Sequence, residues 1–141
     1  MATTRTATTE WKGALIDGSG NVSLNTSGVG TFEVTWASRS QDAGGRTSPE
    51  ELIAAAHSSC FSMALAHGLA GAGTPPYSLE TSADVTFQPG EGITGIVLSV
   101  KGQVPDITAE QFQEAAETAK ANCPVSKALT GTTITLEAEL L

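Results

Sequence analysis

The residues with the greatest chemical potential in this 141-residue chain are its two cysteines, Cys60 and Cys123. Cys60 lies within residues 52–79, a segment that contains no Asp, Glu, Lys or Arg. Apolar surroundings raise the pKa of a thiol and leave it inert, so a reactive Cys60 needs a cation supplied from elsewhere. Cys123 precedes Pro124 and is placed to cap a short helical turn, where a thiol has a lowered pKa. Local electrostatics alone therefore favour Cys123 as the nucleophile and Cys60 as its buried partner.

The residues that could activate Cys60 lie shortly before it in the chain. Two of the three arginines, Arg39 and Arg46, precede the charge-free segment, and Glu50 lies near its start. Positions 50, 53, 57 and 60 recur at helical spacing, so Glu50 and Cys60 are expected on one face of a helix. An Arg39–Glu50 pair beside Cys60 would hold the guanidinium in one orientation and stabilise the thiolate. The alternative interpretation is solvated charges at a helix start.

The two histidines, His57 and His67, raise further kinds of chemistry. A zinc site of His57, Cys60, Cys123 and a fourth ligand is conceivable, but no Cys-x-x-Cys or His-x-x-x-His spacing supports it. A Cys60–His57 pair for acyl transfer lacks an obvious acid to orient the imidazole. We therefore interpret His57 as a core histidine with satisfied hydrogen bonds.

Composition limits the classes of protein to which the chain can belong. A content of 40% apolar and 16% charged residues argues against disorder, and we expect one domain over residues 1–141. The formal net charge of -8 argues against a nucleic-acid partner. No apolar run approaches the ~20 residues that span a bilayer, so no membrane association is expected. The first residues lack an apolar signal segment, which predicts a cytoplasmic protein whose cysteines are kept as thiols.

Alternating apolar and polar residues predict the strands that must position these side chains. The alternation is typical of strands with one buried face, and the Pro-Gly-Glu-Gly run at 89–92 predicts a hairpin turn. About six strands are expected, mostly linked by hairpins and therefore antiparallel. The predicted strands lie at 77–88, 96–100, 134–140 and 32–36, with weaker candidates around 10–15 and 20–25.

Two main helices are predicted between the strands, which gives an α+β fold. The first begins with Ser48 as the cap, Pro49 at the first helical position and Glu51 closing a capping box, and it runs to about Leu69. The second begins near Thr108 and runs to about 121, and a short turn follows Pro124. The first helix is apolar all round and must be covered on every side. One small sheet can cover only one side of it. We therefore expect a second subunit to cover it, as an obligate dimer.

These motifs resemble a known family. Residues 47–57, Thr-Ser-Pro-Glu-Glu-Leu-Ile-Ala-Ala-Ala-His, followed by Cys-Phe-Ser-Met-Ala-Leu at 60–65, resemble the central-helix signature of the osmotically induced protein C (OsmC) family, and the Cys-Pro-Val-Ser run at 123–126 resembles its second-cysteine motif. The resemblance covers essentially the whole chain. It implies a thiol peroxidase in which Cys60 is the peroxidatic nucleophile and Cys123 resolves it as an intramolecular disulfide. Arg39, with Arg46 as a rival, would activate Cys60, and Glu50 would orient the arginine.

The resemblance also implies the assembly and the co-substrates. The family fold is an intertwined homodimer, with antiparallel sheets around long buried central helices and with active sites at the interface. Organic hydroperoxides, and hydrogen peroxide as well, would be reduced without a metal, haem or flavin. An external dithiol, in relatives often lipoyl-linked, would reduce the disulfide. The alternatives are a Cys-dependent hydrolase or acyltransferase, which would need Cys60 and His57 but not Cys123, and a non-catalytic dimeric binding protein.

Overall fold

The computed structural model describes all residues from Met1 to Leu141, which form two compact units, Met1–Leu52 and Ile53–Leu141. The boundary between the units falls inside the longest helix, α2, which spans Pro49–Gly71. One domain over 1–141 stays a prediction. The first unit also contains β1 (Thr8–Lys12), β2 (Ser19–Ser23), β3 (Thr31–Val34) and α1 (Trp36–Ser40). The second contains β4 (Ser78–Gln88), β5 (Gly92–Gln103), α3 (Ala109–Asn122), α4 (Pro124–Ala128) and β6 (Ile134–Leu140).

The first unit consists of a small antiparallel sheet followed by a short helix. The three strands are ordered β1-β2-β3. The strand predicted over 32–36 ends at Val34, and Trp36 instead begins α1. The cause is a reciprocal capping box, in which the side chains of Thr35 and Ser38 each accept a hydrogen bond from the other's backbone N–H. A five-residue helix is too short to show helical periodicity, so the sequence pattern did not reveal it.

Helix α2 begins where the sequence predicts. The Ser48 hydroxyl accepts a hydrogen bond from the Glu51 backbone N–H at 3.2 Å, which satisfies one of the unpaired donors of the first turn. The Glu51 carboxylate does not close the expected capping box; it accepts a 2.6 Å hydrogen bond from the Thr47 hydroxyl. Helix α3 begins after Thr108, as predicted, and Thr108 and Gln111 form a reciprocal capping box there. Both helices are therefore fixed at their N-termini by side-chain caps.

The second unit contains a mixed sheet rather than an antiparallel one. Strands β4 and β5 form the expected antiparallel hairpin, whereas β5 and β6 are parallel. The alternating pattern of Ile134 to Leu140 predicts a strand but carries no information on its direction. A parallel pair needs a long crossover, and α3 and α4 supply it between β5 and β6. The α+β class is confirmed, with two three-stranded sheets.

The core of the second unit lies between the sheet, α2 and α3. Phe61 and Leu65 of α2 are fully buried against this core, together with Leu98 of β5 and Phe112 of α3. Helix α2 is long and apolar enough to cross a membrane by length and composition, a criterion that core helices of soluble proteins also meet. Phe61, Leu65 and Leu69 of this helix belong to the hydrophobic core of the second unit. One side of α2 is not covered by the rest of the chain, as the 71% exposure of Met63 shows.

Candidate active site

The two cysteines meet inside the second unit. Cys60 lies in the middle of α2, and Cys123 is the residue between α3 and α4. Their Sγ atoms are 3.0 Å apart, in hydrogen-bond contact, and both thiols are free. Pro124 begins α4 directly after Cys123, which turns the chain so that the thiol faces inward rather than toward solvent. The structure therefore brings together the two cysteines that the sequence singled out.

The two thiols differ in their access to solvent. Cys123 is fully buried, whereas Cys60 is partly exposed and lines an open cavity of about 790 Å³ between α2 and α3. Apolar side chains such as Met63, Leu69 and Ile107 make up much of the wall of this cavity. The expectation from local electrostatics that Cys60 is the buried partner is wrong. A charge-free segment does not by itself bury a residue, because burial depends on which neighbouring elements cover it.

The protonation of the two thiols is also unequal. Burial raises the pKa of Cys60, and the contact with Cys123 raises it further, although the Val125 backbone N–H opposes this. Burial acts in the same direction on Cys123, but its pKa is lowered because the contact with Cys60 and hydrogen bonds from the Ser126 backbone and hydroxyl outweigh that effect. The thiol that peroxide can reach is thus the less acidic of the pair. A reactive Cys60 needs an additional positive group.

The arginine expected to activate Cys60 is held by the glutamate that was expected to orient it. In the first unit, the Arg39 Nε and Nη2 atoms donate to the Glu50 carboxylate at 3.0 and 2.9 Å, a two-point geometry that fixes the plane of the guanidinium. The Glu50 side chain is only 7% exposed. The rival, Arg46, pairs instead with Glu33, and both partners are exposed. The predicted Arg39–Glu50 pair is present, and its contact with Cys60 stays a prediction.

His57 is fully buried and forms its hydrogen bond with Ser126 of α4 rather than with Cys60. Its Nε2 atom forms a 2.7 Å hydrogen bond with the Ser126 hydroxyl, and its Nδ1 atom is buried without any hydrogen-bond partner. The expectation of a fully satisfied core histidine is wrong for Nδ1. No acid orients the ring, as a Cys–His acyl-transfer site would require. The arrangement does not provide the hydrolase alternative with a general base.

Ser126 and the backbone of Val125 are parts of the site that the sequence pattern did not reveal. Both lie in the first turn of α4, where backbone N–H groups have no partner within the helix and are free to donate to the sulfurs. The signal was present in the Cys-Pro-Val-Ser run, since proline at the first helical position directs the following amides toward the cap. Ser126 was not singled out because its partner His57 is distant in sequence.

Two adjacent thiols, one of them open to an apolar cavity and the other buried among hydrogen-bond donors, define a protein suited to thiol–disulfide chemistry. The pattern of a known family, described as OsmC-like protein, matches residues 41–138. Peroxiredoxin OsmC of Escherichia coli (strain K12) is 41% identical over 133 residues, which cover 92% of this chain and 92% of that protein. The chain belongs to the OsmC family, and the resemblance noted in the sequence is confirmed.

Solved structures agree with this membership. The organic hydroperoxide resistance protein OhrB of Bacillus subtilis is 27% identical and has a TM-score of 0.68, with 95% of this chain and 98% of that chain covered. An OsmC like protein from Mycoplasma pneumoniae has a TM-score of 0.74 at 13% identity, with 100% and 99% covered. At that level of identity the second likeness concerns the fold alone.

Proposed function

We propose that this protein is a thiol-dependent peroxidase that reduces organic hydroperoxides, and hydrogen peroxide as well, through Cys60 and Cys123. The observation that carries the proposal is the 3.0 Å contact between a sulfur open to an apolar cavity and a fully buried one. Membership of the OsmC family supports the same conclusion, since the Escherichia coli relative is named a peroxiredoxin.

In the first step the Cys60 thiolate attacks the distal oxygen of the hydroperoxide. An S–O bond forms, the O–O bond breaks, and the alkoxide leaves with the bonding pair and takes a proton to become the alcohol. Cys60 is oxidised to a sulfenic acid. Arg39, oriented by Glu50, would hold the charge on Cys60 and on the departing oxygen, a role that its fixed guanidinium plane suits.

In the second step the Cys123 sulfur attacks the sulfur of the Cys60 sulfenic acid. The S–S bond forms and the S–O bond breaks, and the hydroxide that leaves takes a proton and becomes water. Hydrogen bonds from the Ser126 backbone and hydroxyl and from the Val125 backbone act against the effect of burial on the pKa of Cys123, and because they do not depend on the Cys60 thiol they favour this step. Cys123 does not need to move far, because its sulfur already touches that of Cys60.

In the third step an external dithiol reduces the disulfide through a mixed disulfide. We propose that the mixed disulfide forms on Cys60, because Cys60 is accessible from the cavity and Cys123 is fully buried. We propose a lipoyl-linked dithiol as this reductant, because an open, largely apolar cavity beside Cys60 favours a dithiol carried on an apolar chain. The cycle requires no metal, haem or flavin, since sulfur atoms carry every electron transferred.

The active unit is proposed to be a homodimer of single-domain chains in the cytoplasm. The uncovered side of α2, which includes Met63, is uncharged and apolar, and such a surface is normally covered by a partner. The cavity beside Cys60 includes Met63 as well. The site would therefore be completed at the seam between the two subunits.

The proposal is tested by intact-mass measurement without reductant, before and after one equivalent of cumene hydroperoxide. Wild type is expected to lose two hydrogens, as Cys60 and Cys123 form a disulfide. Cys123→Ser is expected to gain one oxygen, located on Cys60, because no resolving thiol remains. Cys60→Ser is the matched control and should stay unchanged. Oxygen on Cys123 in the control, with Cys60 inert in the companion variant, would reverse the assignment, and no change in any protein would refute the peroxidase.

A further inference from the structure

The buried contact between His57 and Ser126 is not used by the cycle described above. His57 is fully buried on α2 and Ser126 is 5% exposed on α4, and both belong to the second unit. The His57 Nε2 atom and the Ser126 Oγ atom are 2.7 Å apart. Ser126 is the third residue of α4, whose N-cap is Cys123, and a hydrogen bond from its hydroxyl is one cause of the lowered pKa of Cys123. A path therefore runs from the imidazole, through Ser126, to the residue that carries the resolving thiol.

The direction of this path follows from the number of protons available. A serine hydroxyl carries a single proton, so when it donates to Cys123 it must accept from His57. The ring therefore carries its proton on Nε2 and a lone pair on Nδ1, which agrees with the absence of any partner for the buried Nδ1 atom. Burial lowers the pKa of His57, so the ring is neutral.

The unpartnered Nδ1 atom shows that packing alone does not explain a histidine at this position. A buried polar atom without a partner destabilises a fold, and an apolar side chain of similar size would avoid that cost. The Nε2–H group is the one polar feature of the ring that meets a partner, and that partner leads to Cys123. Around the Cys123 sulfur, the facing groups are Cys60 of α2, the Val125 and Ser126 amides of α4 and the Ser126 hydroxyl.

We propose that His57 and Ser126 are positioning residues that fix a hydrogen-bond donor on the Cys123 sulfur and so hold negative charge there. The inference rests on the proposed resolving role of Cys123. When the disulfide forms, the held thiolate is the nucleophile that displaces hydroxide from Cys60. When an external dithiol attacks the Cys60 sulfur, the S–S bond breaks and its electron pair passes to Cys123, whose thiolate the same donor stabilises as the leaving group.

The first test measures the charge on Cys123 directly, in a Cys60→Ser background where Cys123 is the only thiol. The ultraviolet absorbance of the thiolate is followed as a function of pH. Ser126→Ala and His57→Leu should each raise the apparent pKa of Cys123 by about one unit, the shift expected for loss of one hydrogen bond to a charged group. Ser62→Ala is the matched control, since Ser62 on α2 bonds to Thr81, and it should leave the pKa unchanged.

The second test separates positioning from a purely structural role. In the two-cysteine protein, His57→Leu should not slow the oxidation of Cys60 by a single equivalent of hydroperoxide, because less negative charge on Cys123 lowers the pKa of Cys60. Disulfide formation should then be about 10-fold slower, because a rise of one unit in the pKa of Cys123 reduces its thiolate fraction about 10-fold. His57→Gln, which keeps an N–H group able to reach Ser126, should recover much of that rate. Recovery by glutamine without recovery of thermal stability would support positioning over packing.

Either measurement can overturn the proposal. An unchanged Cys123 pKa in both Ser126→Ala and His57→Leu would contradict it, as would equal rates of disulfide formation in wild type, His57→Leu and Ser126→Ala. If His57→Leu does not fold, His57→Gln and Ser126→Ala carry the test by themselves. Failure of the peroxidase proposal is distinguishable, because the pKa measurement needs no peroxide.

Discussion

Two arginines close to each other in sequence, Arg39 and Arg46, have partners in very different surroundings. Glu50, the partner of Arg39, has a side chain that is 7% exposed, and the guanidinium is held at two points. Arg46 and Glu33 are 45% and 44% exposed, and exposed ion pairs contribute little and leave both side chains mobile. A group that stabilises charge during a reaction must be fixed before the charge develops. At the residue scale this favours Arg39 as the activating residue.

Arg39→Lys is expected to lower the second-order rate constant of Cys60 oxidation by roughly 100-fold, the usual effect of losing one fixed donor at a developing charge. Lysine keeps the charge but cannot reproduce the two-point contact with Glu50. Stopped-flow consumption of hydroperoxide under single-turnover conditions measures the rate. Arg46→Lys serves as the control and should change it by less than about 2-fold. Equal losses in the two variants would show that net charge near the site matters more than the fixed guanidinium.

At the scale of elements, the packing of α3 on the sheet depends on a glycine in β5, Gly102. A Cβ atom at Gly102 would lie 2.6 Å from the Phe112 ring and 3.2 Å from Leu79. Phe112 is 1% exposed, so its ring has no room to move away. The close approach of α3 to the sheet also places the C-terminal end of α3, and with it Cys123, next to α2. The glycine therefore contributes indirectly to the geometry of the site.

Gly102→Ala is expected to destabilise the protein by about 1–3 kcal/mol, the usual effect of an extra methyl group in a packed core. Gly95→Ala on the same strand is the matched control. Its added Cβ would meet only the Thr133 carbonyl at 3.8 Å, an ordinary contact, so the change should stay within about 0.5 kcal/mol. Urea unfolding of the three proteins measures the difference. Equal stabilities of the two variants would mean that α3 can shift away from β5 at little cost.

The elements that follow from local patterns were predictable, and those that depend on distant contacts were not. Alternation identified β4 and β6, and the capping residues Ser48 and Thr108 located the starts of α2 and α3. The parallel direction of β6 was missed, since side-chain alternation is the same in both directions. The relative burial of Cys60 and Cys123 was missed because it depends on how α3 and α4 pack on α2.

At the scale of the whole molecule, α2 carries more apolar surface than its own chain covers. After its first turn, its exposed positions form a stripe at helical spacing that carries no Asp, Glu, Lys or Arg and includes Ala55, Ala56, Ser59, Met63, His67 and Ala70. A stripe of this kind on a helix at the centre of a chain is typical of a subunit interface. The proposed homodimer would bury this stripe, with Met63 at its middle.

Met63→Lys is expected to convert the dimer to monomers at micromolar concentration, because it would place a charge in a buried apolar seam. Sedimentation equilibrium measures the change in mass. Val29→Lys is the control: Val29 is 72% exposed, almost the same as Met63, but lies in the loop between β2 and β3, so this variant should remain dimeric. A wild-type protein that sediments as a monomer would contradict the proposed assembly outright.

Oxidised Cys60 can react either with Cys123 or with a second peroxide, and the 3.0 Å separation of the two sulfurs favours Cys123. Well-oriented groups in one molecule react as though present at on the order of 10⁵ M or more, whereas a second peroxide arrives as a dilute solute. In the proposed cycle the sulfenic acid would therefore be captured by Cys123 long before a second peroxide could carry it to the irreversible sulfinic state. Tolerance of excess oxidant is thus built into the geometry of the pair. What limits turnover under severe stress is the supply of dithiol that returns the pair to its starting state.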